Sequence, residues 1–313
     1  MRAILERPMN AGAQNADELA GRVSRATVIR RGEPLAKHTT LRVGGPADIY
    51  IEPASEDDLA GVVRFCGGRD LPFFVMGRGS NLLVRDGGFR GVMICLAHPY
   101  FSRIEVVGER LCCGAGAKLK NVAVEAKRHG LSNAEFLEGI PGSVGGALRM
   151  NAGAMGNATF DIVESVRLMN FDGNVRELAS KEMSVEYRGC GILRAHIALG
   201  AVFRCTPAPR EKIEERMKAF REKRWASQPA APSAGCIFKN PAAIPAGKLI
   251  DELGLKGARV GGAMVSTEHG NFIVNDGNAT ACDILKLIAI LKQRAKDERG
   301  IELCTEVEII GED

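Results

Sequence analysis

Residues Glu138–Gly156 read EGIPGSVGGALRMNAGAMG, with glycine at 139, 142, 145, 146, 153 and 156. A second glycine-bearing stretch, Gly77-Arg78-Gly79-Ser80-Asn81, directly follows the apolar run Pro72–Met76, which reads as a buried strand. Missing Cβ atoms let backbone N–H groups converge on anionic oxygens, and Ser143, Arg149 and Asn151 add donors. Neither stretch is a P-loop, because no Gly-Lys-Ser/Thr closes either one. Neither opens the strand–turn–helix unit that a dinucleotide fingerprint requires. On residue chemistry alone two readings stay open: tight turns of a β-rich domain, or a cradle for a pyrophosphate.

Outward from these loops the pattern is α+β. Ser55-Glu56-Asp57-Asp58 has the form of a capping box, and Leu59, Val62, Val63 and Cys66 follow at helical spacing. Ile104–Val107 reads as a strand and Leu119–Arg128 as a helix closed by Gly130, with a long glycine-rich loop beyond. Glu164–Phe171 and Val175–Leu178 flank Asp172-Gly173, a hairpin signal, and Ile197–Arg204 is one more strand. Past Pro207 and Pro209 a charged helix places Ile213, Met217, Phe220 and Arg224 on one stripe. A helix over Ala279–Arg299 aligns Ile284, Leu287, Ile288 and Leu291. A last strand, Leu303–Ile310, brings Glu306 and Glu308 to the same face. These shifts predict an N-terminal arm over 1–37 and segments 38–100, 101–205 and 206–313.

Composition narrows the function. In 313 residues, 42 basic side chains exceed 38 acidic ones by only +4, too little to suggest a nucleic-acid binder. No apolar run reaches the 18 or so residues of a membrane helix, and Arg2, Glu6 and Arg7 interrupt any leader, so a cytoplasmic protein without membrane insertion is expected. Nine cysteines form no C-x-x-C pair and read as reduced, mostly buried thiols, and no metal site is expected. Glycine is in excess, at 37 residues, while aromatics make up only 5%.

Taken together, the motifs resemble the UDP-N-acetylenolpyruvoylglucosamine reductase (UDP-N-acetylmuramate dehydrogenase) family. The likeness runs from about His38 to Gly311 through HTTLRVGGPAD, MGRGSNLLV, EFLEGIPGSVGGALRMNAGAMG, EYRGC, SAGCIFKNP, AGKLIDELGLKGARVGGAMVSTEHGNFIVN and TEVEIIG. It implies an α+β fold: a two-lobed FAD-binding domain of the vanillyl-alcohol-oxidase-like (PCMH) type, lobes 38–100 and 101–205, and a C-terminal α+β substrate-binding domain. The resemblance assigns non-covalent FAD to Gly77, Arg78, Gly79, Ser80, Asn81, Leu82, Gly116, Pro141, Gly142, Ser143, Val144, Gly145, Gly146, Asn151, Ala152 and Gly153. The stretch between Arg188 and Phe203 is short, which fits the compact subgroup without an extra substrate-capping loop.

The family reaction implies that NADPH reduces the flavin, which then passes a hydride to the enolpyruvyl C3 while a proton adds at C2. Charge building on the substrate carboxylate needs a cation and an acid, and the resemblance places Arg188 and Glu306 there. The proton-donor position usually holds Ser and here holds Cys236. A thiol, with an ordinary pKa of about 8.5, suits a general acid if it stays protonated, whereas Arg188 nearby would favour the thiolate. Arg224, Gln228, Lys239, Asn240 and His269 fall at family-like positions for the UDP-sugar substrate. The expected partner is that small molecule, with the chain a monomer or weak oligomer. Two competing readings are an FAD oxidoreductase of the same fold on another substrate, and an inactive FAD- or UDP-sugar-binding sensor suggested by Cys236.

Overall fold

The computed structural model describes residues 11–313. The first ten residues of the expected arm lie outside them, and from Ala11 the arm forms helix α1 (Ala11–Ala20) and strand β1 (Val28–Pro34). Leu19 of α1 is fully buried with Ile49, Ile51 and Val62 in the first core. Strand β1 pairs antiparallel with β2 (Pro46–Glu52). The chain then crosses through α2 (Glu56–Gly67) to β3 (Phe73–Met76), and β5 (Phe89–Cys95) inserts between β2 and β3, parallel to both. As its sequence foretells, α2 is capped by Ser55, whose Oγ accepts from the Asp58 N–H at 3.1 Å. The Asp58 carboxylate turns instead to Ser24, accepting from its N–H at 2.6 Å and its Oγ at 2.8 Å. Only Met76 of β3 is buried, because Phe73, Phe74 and Val75 form the wall of a large cleft.

The second lobe is a five-stranded antiparallel sheet built from β6 (Ile104–Val107), β7 (Arg110–Gly114), Val163–Asn170, Val175–Ala179 and His196–Arg204. The predicted hairpin joins Val163–Asn170 to Val175–Ala179, with Gly173 at φ 84°. Helix α3 (Leu119–Arg128) buries Leu119, Val122, Ala123 and Ala126 against this sheet. The glycine-rich stretch differs from the loop expected for it: a 3-10 turn over Glu135–Gly139 leads to a helix, α4 (Val144–Met150), ended by Asn151 at φ 39°. Val144, Ala147 and Leu148 supply the buried face that stabilises α4 despite its glycines. Helix α5 (Arg210–Ser227) lays Ile213 and Met217 into the same core, worth about 1.5–3 kcal/mol each.

The third core surrounds strands Ser233–Cys236, Phe272–Asn275, Ala263–Val265 and Arg259–Val260 and helices α6 (Ala246–Glu252) and α7 (Ala281–Arg299). Helix α7 has the predicted buried stripe and a capping box between Thr280 and Asp283. Asp86 of the first lobe also accepts from the Ala281 and Cys282 N–H groups at 2.9 Å. Leu41, Val43 and Leu83 of the first lobe complete this third core, so the two units share one apolar interior. The predicted strand Leu303–Ile310 is shorter, only Glu308–Ile310, parallel to β4 (Leu82–Val84). The chain changes partners there. Thr305 bridges Phe238 and the Glu306 N–H bonds Ile237 O at 2.8 Å, whereas Glu308 N bonds Asn81 O at 3.1 Å.

Candidate functional site

The three units meet at a cleft of about 1410 Å³, above the range of about 300–1000 Å³ usual for one small ligand. From Phe73 the cleft wall follows β3 to the Gly77–Asn81 loop, and Asn81 ties that loop to the segment of Glu306 and Glu308. Phe73 and Phe171, 5.1 Å apart edge to face, line it at the start of β3.

The glycines divide into two groups. At Gly79, φ is 59° and an added Cβ would lie 2.3 Å from His38 O; at Gly116 it would lie 1.8 Å from Leu96 O. Both are demanded by the fold. At Gly142 and Gly146 the same atom meets nothing closer than 3.5 and 3.8 Å, yet both line the cleft. Their bare backbone leaves room for a ligand, and this fits an extended pyrophosphate-bearing cofactor. The N–H groups of Val144 and Gly145 are not part of that cradle, because they bond Ala117 O and Ala115 O at 2.9 and 2.8 Å. Arg149 is also committed, donating to Leu193 O at 3.0 Å and to Glu308 at 2.8 Å.

Of the residues expected at the cofactor, all line the cleft except Val144, which is fully buried, and Asn151. Asn151 accepts from Phe160 N at 3.2 Å and donates to Glu186 O at 3.4 Å, supporting the Val185–Cys190 hairpin. Arg188 occupies the tip of that hairpin at φ 57°, a conformation costly for a side chain other than glycine.

Arg188, Cys236 and Glu306 converge on the cleft from three chain segments. The Arg188 Nε lies 3.0 Å from Glu306 Oε1, an ion pair between groups 23% and 12% exposed. That Nε is buried and poorly aligned for a hydrogen bond to the carboxylate, so the pair is held mainly by charge. Burial raises the Glu306 carboxyl above its ordinary range, against the lowering pull of Arg188. Burial likewise pushes the Cys236 thiol up to about 11, with Glu306 adding to the rise and Arg188 opposing it. The thiolate that the neighbouring cation would favour is therefore not the neutral-pH form. Gly235, at φ 74°, and a bulge set Cys236 on its strand, while Asn271 brackets Phe238 through bonds of 2.9 and 2.8 Å.

Arg224 and Gln228 also line the cleft and bond each other at 3.2 Å, and burial lowers the Arg224 pKa. Lys239, Asn240 and His269 do not reach its wall. Lys239 is exposed, Asn240 accepts from Ala246 N at the start of α6, and His269 accepts from Asn271 N at 3.1 Å. Sequence reasoning missed Thr40, whose hydroxyl donates to Ser233 O at 2.6 Å, and the cleft-lining Tyr50 and Cys95. The HTTLRVGG segment carried the signal for Thr40; Tyr50 and Cys95 stand in ordinary strand pattern and carried none.

Residues 228–310 match the family described as UDP-N-acetylenolpyruvoylglucosamine reductase, C-terminal domain, and residues 47–179 match an FAD binding domain. A UDP-N-acetylenolpyruvoylglucosamine reductase of Pelobacter propionicus is 45% identical over 283 residues, covering 90% of this chain and 95% of the relative. The chain belongs to the UDP-N-acetylenolpyruvoylglucosamine reductase family. The family member from Geobacter metallireducens is 44% identical, covering 91% and 95% of the two chains. The crystal structure of the Thermus caldophilus reductase superposes with a TM-score of 0.78 at 38% identity, covering 90% of this chain and 98% of that one. The reductase fold, with its two-lobed FAD domain, is thus the fold of this chain. Among the described residues no helix is long and apolar enough to cross a membrane, and none group as a metal site.

Proposed function

We infer that this chain is an FAD-dependent UDP-N-acetylenolpyruvoylglucosamine reductase, reducing the enolpyruvyl ether of the sugar nucleotide to UDP-N-acetylmuramate for peptidoglycan precursor synthesis. The observation that carries the site assignment is the convergence of the Arg188–Glu306 ion pair and the Cys236 thiol on one cleft. The chemistry supplied by FAD, when bound, is the relay of a hydride from NADPH to the substrate C3. Gly77–Leu82, with Pro141, Gly142, Ser143, Gly145 and Gly146, would hold the cofactor by the shape of the cleft wall and the bare backbone at Gly142 and Gly146.

Arg188, held by Glu306 through its Nε, binds the substrate carboxylate with the rest of its guanidinium. Its fixed charge stabilises the negative charge that builds on the carboxylate side, without reorganisation at the moment of transfer. Glu306 holds Arg188 in place through their ion pair, and burial raises its carboxyl above the ordinary range. Cys236 Sγ–H gives its proton to C2, and its raised pKa keeps that proton in place at neutral pH. Arg224 and Gln228, which also line the cleft and bond each other, would meet the diphosphate of the sugar nucleotide.

The test is spectroscopic. The purified protein is expected to be yellow, to bleach on adding NADPH anaerobically, and to recover its colour only with the enolpyruvyl sugar nucleotide. A yellow protein that NADPH does not bleach overturns the reading in favour of a binding protein.

A further inference from the structure

Arg149, in the last turn of α4, lines the cleft and donates to two protein acceptors at once. One arm of its guanidinium, Nη1, bonds Leu193 O at 3.0 Å, and the other, Nη2, bonds Glu308 at 2.8 Å. The two acceptors belong to different walls of the site. Leu193 lies in the 3-10 turn Gly191–Arg194, which directly follows the hairpin that carries Arg188. Glu308 opens the last strand, two residues beyond Glu306, and both carboxylates line the cleft. Alternate residues of one segment thus each hold an arginine, Glu306 pairing with Arg188 at 3.0 Å and Glu308 with Arg149 at 2.8 Å.

The Arg188 hairpin has little to hold it by itself. Its strands are two residues each, and Ser184 at its entry and Arg188 at its tip are left-handed, at φ 48° and 57°. Helix α4 braces it on both flanks: Asn151 donates to Glu186 O at 3.4 Å on the incoming strand, and Arg149 to Leu193 O beyond the outgoing one. A guanidinium is planar, with its two Nη groups at a fixed spacing, so an arginine that grips two acceptors fixes their separation. The Arg149 and Glu308 side chains are 39% and 34% exposed, and ion pairs so open to water add little to stability. What the fork supplies is geometry.

Arg188 and Glu306 come from these same two walls, and transfer to the substrate needs both in place around its carboxylate. We propose that Arg149 is a positioning residue for the substrate half-reaction: by gripping Leu193 O and Glu308 together it sets the Arg188 hairpin against the Glu306 segment and so aims Arg188 at the substrate carboxylate. It acts through its two acceptors. The assignment rests on the reductase reading above. Reduction of the flavin by NADPH involves no such carboxylate, so the two half-reactions respond differently to the loss of Arg149.

The experiment uses FAD-loaded protein and the variants Arg149→Met, Arg149→Lys and Glu308→Gln. In stopped flow, Arg149→Met should slow reoxidation by saturating enolpyruvyl sugar nucleotide by about tenfold or more, the scale of a small misplacement of a reacting group, while bleaching by NADPH holds. Arg149→Lys keeps the charge but has one ammonium for two acceptors, and should recover only part of the rate. Adding Glu308→Gln to Arg149→Met should slow reoxidation no further, because the two residues act as one unit. Calorimetric titration with UDP-N-acetylmuramate, which carries the carboxylate, should weaken in Arg149→Met, with UDP binding unchanged. Should Arg149→Met fail to fold, Glu308→Gln leaves α4 untouched and must show the same split between half-reactions and between ligands. Unchanged reoxidation, a full rate in the Lys variant or additive losses in the double variant would overturn the proposal. Equal slowing of both half-reactions, or loss of FAD, would overturn it by assigning Arg149 to the cofactor. A wild type that NADPH bleaches and the enolpyruvyl sugar nucleotide does not reoxidise would instead sink the reductase reading.

Discussion

Asn81 holds the segment of Glu306 from two sides: its Nδ2 donates to Glu306 O at 3.2 Å, and its own carbonyl accepts from Glu308 N at 3.1 Å. The residue sits in the loop that lines the cofactor end of the cleft, so one side chain links the FAD loop to the segment carrying a reacting-site carboxylate. Asn81→Ala is expected to cost about 1 kcal/mol of stability for the lost hydrogen bond. It should slow flavin reoxidation by substrate more than bleaching by NADPH. Equal slowing of the two half-reactions would show that Asn81 serves the cofactor alone.

Glu306→Gln keeps the shape of the side chain and removes its charge. The substrate half-reaction is expected to fall by roughly two orders of magnitude, the usual scale for losing a positioned acid or base. Stability adds a second readout. Burial raises the Glu306 carboxyl, so its contribution is fully present below the unfolded carboxylate pKa of about 4.3 and is lost as pH rises through the raised folded value. The Gln variant lacks that decline, and melting temperatures measured from about pH 4 to 7 should diverge less from one another than in the wild type. Parallel curves would mean that the folded carboxyl is not raised.

How much of this was legible beforehand depends on the range of the interaction. The Ser55 cap, the Asp172-Gly173 turn and the stripe of α7 are local devices and were read correctly. The helix α4 was not, because three of its stabilising contacts, those of Val144, Ala147 and Leu148, are with residues distant in sequence that outweigh its glycines. The terminal strand was overextended for a similar reason: alternation continues through Thr305 and Glu306, but the chain trades Ile237 for Asn81 as its partner. Within the site, the family motifs indicated many of the residues that line the cleft, but also Val144, Asn151, Lys239, Asn240 and His269, which do not. They did not reveal that Arg149 is spent on Leu193 and Glu308, or that Cys236 is buried enough to stay protonated.

Gly79→Ala tests the idea that part of the glycine excess is structural. The new methyl would meet His38 O at 2.3 Å in a left-handed backbone, so strain and clash act together. Stability should fall by about 2 kcal/mol or more, read as a lower melting temperature of the FAD-free protein. Gly146→Ala, where the nearest atom is 3.8 Å away, should leave that temperature nearly unchanged while weakening FAD binding. A reversed pattern would refute the division.

The thiol of Cys236 gives the sharpest prediction, because two neighbours pull on it in opposite directions. Burial raises its pKa to about 11, Glu306 reinforces the rise, and Arg188, with a hydrogen bond from Asn271, opposes it. As a donor it is competent while protonated, so its activity is lost only as pH rises through the folded value. The substrate half-reaction should therefore show no descending limb near the ordinary thiol pKa of about 8.5, and alkylation at neutral pH should be slow. Cys236→Ser is expected to keep substantial turnover, since a hydroxyl never ionises in this range. Cys236→Ala should abolish reoxidation by substrate yet leave bleaching by NADPH intact. Normal reoxidation in the Ala variant would remove Cys236 from the chemistry. A wild-type limb near 8.5 that the Ser variant lacks would instead show the thiol ionising as a solvated cysteine does, and the balance between Glu306 and Arg188 would then favour the cation.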